Sequence, residues 1–193
     1  MIKNIIITVV VLAGLGAFFG KGSSAQTADL GQALDRTERA LISYNEKLER
    51  DGIEKMTPKE VGELNAYIRR EMNAPKEFYG TKVGVAMTEA ASFIGYSDKN
   101  ANNVYEKGEP QLFLIEIDNE NQRLIATDMS GNSTHARSGG FGGFLFLSLG
   151  NRQRAAGVAP GSFNNRNSTP RSSYKAPSSA RTRVRSGGIA GGK

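Results

Sequence analysis

The chain has 193 residues, with 25 Lys/Arg against 19 Asp/Glu, a formal net charge of +6, and neither Cys nor Trp. The missing cysteine excludes disulfides, thiolate metal centres, a cysteine nucleophile and a lipid anchor on sulfur. Charge is segregated: all 19 acids lie between Asp29 and Asp128, and residues 151–193 carry nine bases and no acid. Residues 26–137 hold 19 acids against 14 bases, so the high isoelectric point belongs to the C-terminal part and not to the foldable part.

The first 25 residues read as a signal peptide or an N-terminal membrane anchor. Lys3 precedes a fifteen-residue uncharged run from Ile5 to Phe19, short for a spanning helix and long for a signal-peptide core. Ser23 and Ala25 satisfy a small-x-small cleavage rule, whereas Lys21 suits an uncleaved segment whose lysines reach opposite interfaces. Either reading directs the body outside the cytoplasm, as a periplasmic or secreted protein or one anchored in the inner membrane.

Residues 26–137 predict a small α+β domain. Leu30, Leu34, Leu41, Tyr44 and Leu48 recur at helical spacing, with Thr37 in the same stripe, over a helix 28–50. The stripe suits packing within the domain or a weak self-association as a short coiled coil. Thr57-Pro58-Lys59-Glu60 is a capping box with Pro at the first helical position, opening a helix 58–73. From Thr81 the apolar period shortens to two, and strands are expected near 82–87, 91–96, 112–117 and 123–127. The expected fold is a helical hairpin packed on a four-strand antiparallel meander.

Asp98, Asn100, Asn102, Glu106 and Glu109 fall at positions 1, 3, 5, 9 and 12 of a twelve-residue segment. That spacing resembles the EF-hand calcium loop and implies Ca2+ as the one candidate cofactor, held by hard oxygens. Pro110 and a strand follow where the family has a helix, so a plain connecting loop stands as the other reading. No other cofactor and no small-molecule substrate is indicated. His135 is the only histidine and lies in a polar stretch, with nothing in the sequence to place a nucleophile beside it.

Residues 138–150 form a Gly/Phe-rich apolar segment, suited to a membrane interface, to the core or a sheet edge, or to self-association. Residues 151–193 read as a disordered basic tail, rich in Gly, Ser, Asn and Pro. Arg152, Arg154, Arg166, Arg171, Lys175, Arg181, Arg183 and Arg185 are its candidate contacts to an anionic surface, either a membrane or an anionic envelope polymer. The functional expectation is a non-enzymatic, exported or membrane-anchored envelope protein. The alternatives are a nucleic-acid-binding accessory protein acting through the tail, and a calcium-binding module at 98–109.

Overall fold

The computed structural model describes residues 28–137 and 143–180. The signal-peptide or anchor expectation for residues 1–25 lies outside them, as do Arg181, Arg183 and Arg185. Among the described residues no helix is long and apolar enough to cross a membrane.

Helix α1 spans Leu30–Arg50 and α2 spans Pro58–Met72. Asp29 caps α1 by accepting from the amides of Gly31 and Gln32 at 3.0 and 3.2 Å. Thr57 and Glu60 form both halves of the capping box that starts α2. Strands follow as β1 (Val83–Met87), β2 (Phe93–Ser97), β3 (Gln111–Asp118), β4 (Arg123–Asp128) and β5 (Ser133–Arg137). Helix α3 (Phe144–Ala155) and the two-residue β6 (Thr169–Pro170) complete the chain order. The sheet runs β1 to β6 in sequence order, antiparallel except for the parallel β5–β6 pair.

The fold is therefore α+β, with a six-strand sheet in place of the expected four-strand meander. Strand β5 lies in the stretch read as polar linker. Its core-facing side chains are only Thr134 and Ala136, and alternation that weak carries no strand signal.

One face of the sheet carries Val83, Val85, Phe93, Phe113, Ile115, Ile117, Leu124 and Ala126 into a single core with α1, α2 and α3. The α1 stripe Leu30, Leu34, Leu41, Tyr44 and Leu48 is wholly buried there, so the coiled-coil reading of helix 28–50 loses its surface. Glycine permits two close approaches. A Cβ on Gly95 would lie 2.1 Å from the Phe113 ring, and one on Gly84 would lie 2.1 Å from the ring of Tyr96.

Arg36 joins the helices. Its buried guanidinium donates to the carbonyls of Glu71 (2.8 Å), Met72 (3.2 Å), Ala74 (3.1 Å) and Lys76 (2.5 Å), and lies over the Phe78 ring. Glu71 and Met72 close α2, where carbonyls run out of helical partners and attract positive charge, and Ala74 and Lys76 lie just beyond its end.

The Gly/Phe segment resolves in favour of the core where it is described. Leu145, Phe146 and Leu149 of α3 pack into the core, and the nearby Leu147 is exposed. Glycine-rich composition concealed a helix that tertiary contacts hold. Gly150 sits where a Cβ would meet the Asn119 side chain at 2.0 Å. Oriented so that both its polar atoms find partners, that amide donates to Phe146 O and accepts from Gly150 N, each at 3.0 Å.

Candidate functional site: the basic segment on the outer face of the sheet

The face of the sheet turned away from the helices is more polar. Cross-strand pairing places Glu116, Ile125 and His135 in one row and Asp118, Arg123 and Arg137 in the next. Glu116 is 2% exposed although it stands on a strand read as apolar.

Residues 158–175 lie across this face as a strap, which corrects the expectation of a disordered tail from residue 151. Gly161 N donates to Glu120 Oε2 at 3.0 Å, and Arg123 donates to Phe163 O at 2.9 Å. Arg166 donates to Glu116 Oε1 at 2.6 Å. Ser168 Oγ lies 2.8 Å from His135 Nδ1, and Thr134 Oγ1 donates to Thr169 O at 2.8 Å. Beyond β6 the chain turns to the start of α1. There Arg171 makes a two-pronged pair with Asp35 (Nε to Oδ1 2.9 Å, Nη2 to Oδ2 2.6 Å) and donates to Gly31 O at 3.1 Å. Leu30 N donates to the Tyr174 hydroxyl at 3.3 Å. The Arg171 guanidinium fills the space a Cβ on Gly31 would need, 2.8 Å from its Cζ.

Electrostatics follow from burial. Withdrawal from water pushes the Glu116 carboxyl above its ordinary range, and Arg166 opposes that only in part. Glu116 Oε2 has no hydrogen-bond partner. Burial also acts to raise Asp118, but hydrogen bonds from Arg123 and Asn121 together hold it below the usual value. Desolvation, then Arg123 and Arg137, lowers His135 and favours the neutral imidazole.

The structure sorts the eight predicted surface-contact bases into distinct groups. Arg166 and Arg171 are bound to the protein's own carboxylates and are not free for an external anion, which corrects that part of the expectation. Arg152 is half-buried, and its Nε is buried without a partner. Arg154 is exposed and donates to Asn151 Oδ1 at 2.5 Å, and Lys175 is exposed. Arg181, Arg183 and Arg185 fall outside the described residues. Sequence reasoning missed the internal acceptors Asp35 and Glu116. The one available signal was a glutamate interrupting the apolar run Leu112–Ile117.

The calcium-loop residues do not form a cation cradle. The amides of Asn100 and Asn102 donate to the two oxygens of Glu106 at 2.9 and 3.0 Å, and Glu109 accepts from Lys99 N and Glu106 N. Asp98 Oδ2 accepts from Asn103 N at 3.1 Å, and the side-chain oxygens of Asn100 and Asn102 accept from Asn102 N and Val104 N. Apart from Asp98 Oδ1, which is buried without a hydrogen-bond partner, the loop thus turns these oxygens onto its own N–H groups. Among the described residues no group of three or more Asp, Glu or His converges as a metal would require.

Asp128, the acid nearest His135 in sequence on the preceding strand, accepts from Ser130 N and Asn132 N, both at 2.9 Å, and closes the β4–β5 turn. A shallow cleft of about 270 Å³ between α3 and the β3–β4 turn is lined by Asn119, Glu120, Gln122, Phe146, Leu147 and Arg154, among others. Comparison with family models, with curated proteins and with solved structures finds no match to this chain.

Proposed function

We propose that this is a non-enzymatic, exported or membrane-anchored protein that rests against an anionic bilayer through the bases its fold leaves unpaired. The observation that carries the reading is the charge segregation: nine bases and no acid follow residue 150. Two of them, Arg166 and Arg171, fasten the chain to its own body. Arg154 and Lys175 are exposed and pair with no carboxylate among the described residues. The sequence Arg181-Thr182-Arg183-Val184-Arg185 adds three bases within five residues. The apolar run from Ile5 to Phe19 supports delivery of the same chain to a membrane.

The test is co-sedimentation of the full chain with vesicles of phosphatidylcholine, alone or mixed with phosphatidylglycerol. Binding to the mixed vesicles alone, falling with added salt, is the expected result. At about 1 kcal/mol per base, changing Arg181, Arg183 and Arg185 together to Ser weakens it roughly a hundredfold. Equal binding to neutral vesicles, or full binding by the triple variant, overturns the reading.

A further inference from the structure

We propose that the strap is an autoinhibitory latch: Asp35 and Glu116 hold Arg171 and Arg166 closed, and an anionic lipid surface takes those two bases over when the strap lifts. This deepens the reading of the tail as a membrane contact and rests on it.

The geometry supports a latch in three ways. First, the strap is fastened mostly by polar contacts spaced along it: Gly161 to Glu120, Arg123 to Phe163 O, Arg166 to Glu116, Ser168 to His135, Thr134 to Thr169 O in the two-residue β6, Arg171 to Asp35, and Leu30 N to Tyr174. The two guanidinium–carboxylate pairs are open to competition from another anion, whereas apolar burial is not. Tyr174 is the strap's one apolar contact with the core, and both it and Phe163 remain partly exposed. Second, both guanidiniums reach solvent even in the closed form, with side-chain exposures of 38% for Arg166 and 35% for Arg171. A phosphate oxygen can therefore approach either one before its carboxylate lets go. Third, both bases lie in one acid-free stretch with Lys175, so lifting the strap adds two charges to a cationic segment instead of exposing them singly.

The consequence is a coupled equilibrium. A ligand that pairs with Arg166 and Arg171 only in the open form shifts the population toward it, by as much as its affinities for the two forms differ. Bilayer binding is then weaker than the bare charge of the segment implies, because part of the binding energy goes into opening.

The test compares two double variants of the full chain that remove the same charge. Asp35→Asn with Glu116→Gln unfastens the strap. Glu46→Gln with Glu54→Gln neutralises two exposed acids on α1 and in the loop that follows it. Affinity for phosphatidylglycerol-containing vesicles is measured for both, with trypsin cleavage after Arg166 and Arg171 as a second readout. A latch predicts that the first pair raises affinity at least fivefold more than the second, and that vesicles speed cleavage after Arg166 and Arg171 in the unaltered chain. Equal effects of the two pairs overturn the latch while leaving the membrane reading in place. Failure of every form, the unaltered chain included, to bind vesicles overturns the membrane reading itself. Opening by single-stranded RNA but not by vesicles overturns the choice of a lipid surface. Should the double variant not fold, Asp35→Asn alone leaves the buried Glu116 pair intact and must still raise affinity above that of Glu46→Gln alone. If it does not, the latch is overturned.

Discussion

Arg171 grips Asp35 across 136 positions of sequence, while five residues earlier on the strap Arg166 grips Glu116. The two pairs look alike but differ in what their carboxylates lose when the base is removed. Asp35 is 41% exposed in its side chain and regains water, so Arg171→Ala is expected to cost about 1 kcal/mol or less. Glu116 is 2% exposed and cannot, so Arg166→Ala is expected to cost about 2–3 kcal/mol, softened by uptake of a proton. Urea unfolding of the two variants should therefore rank Arg166→Ala as the more damaging. The reverse order would mean that the Asp35 pair bears most of the strap's contribution to stability.

Arg36 leads to a second prediction. Its guanidinium donates from α1 to four carbonyls at and just beyond the end of α2. Arg36→Ala strips the Met72 and Ala74 carbonyls of this donor, while Glu71 O keeps Ala74 N and Lys76 is open to water, at a cost of about 2 kcal/mol. Arg36→Lys should recover little of this, because an ammonium cannot span four carbonyls with a planar fork. Thermal melts of both variants check it, and a Lys variant as stable as the parent would refute the fork argument.

How far the sequence discloses this arrangement depends on how local each signal is. Thr57, Pro58 and Glu60 announce α2 because a capping box is complete within four residues. The alternation of Val83, Val85 and Met87 announces β1 for the same reason. Arg36 is silent, since its acceptors are backbone carbonyls 35 to 40 positions away, and carbonyls leave no mark on side-chain pattern. The strap is hidden by its composition. Asn, Ser, Gly and Pro with scattered Arg describe an unpaired chain unless distant acids meet them, and Glu116 stands 50 positions from Arg166. Helix α3 lacks a side-chain cap, and its start at Gly143 has a φ of 91°. Glycine-rich flanks read as loop.

The contact between Gly150 and Asn119 gives a third prediction, one of coupling. A methyl at 150 would lie 2.0 Å from the end of the Asn119 side-chain amide, so Gly150→Ala must displace that side chain and break its bridge to α3. A cost of about 1–3 kcal/mol is expected. Asn119→Ala removes the obstacle. The double variant should then be more stable than the sum of the single effects predicts, by about 1 kcal/mol in a double-mutant cycle. Simple additivity would show that α3 shifts bodily instead.

The loop 98–109 gives a fourth. All but Asp98 Oδ1 of its candidate side-chain oxygens are turned onto its own amides, so millimolar calcium is expected to leave the melting temperature unchanged. Backbone strain, in contrast, is accessible to mutation. Ala101 holds a φ of 59° on an exposed turn, a conformation that costs a residue with a Cβ about 1 kcal/mol. Ala101→Gly relieves this but frees the unfolded chain, for a net gain of up to about 0.5 kcal/mol. A calcium-dependent rise in melting temperature would instead show that the loop's internal hydrogen bonds yield to a cation.

The outer face of the sheet should also respond to pH in two opposed ways. Burial raises the Glu116 carboxyl above its ordinary value near 4.5, so the folded state holds that proton more tightly than the unfolded state does. The stability it contributes is full below that ordinary value and is lost as pH rises through the folded one. His135 is lowered from its ordinary 6.5, first by desolvation and then by Arg123 and Arg137. Its contribution is present above 6.5 and is lost as pH falls through the depressed value, because only the unfolded chain accepts the proton readily. Urea midpoints measured between about pH 4 and 8 separate the two. Glu116→Gln should remove the decline on the rising side, and His135→Gln the decline on the falling side. If neither substitution alters its limb of the profile, the strap does not keep these groups from water in solution, and the pairing of Ser168 with His135 does not persist there.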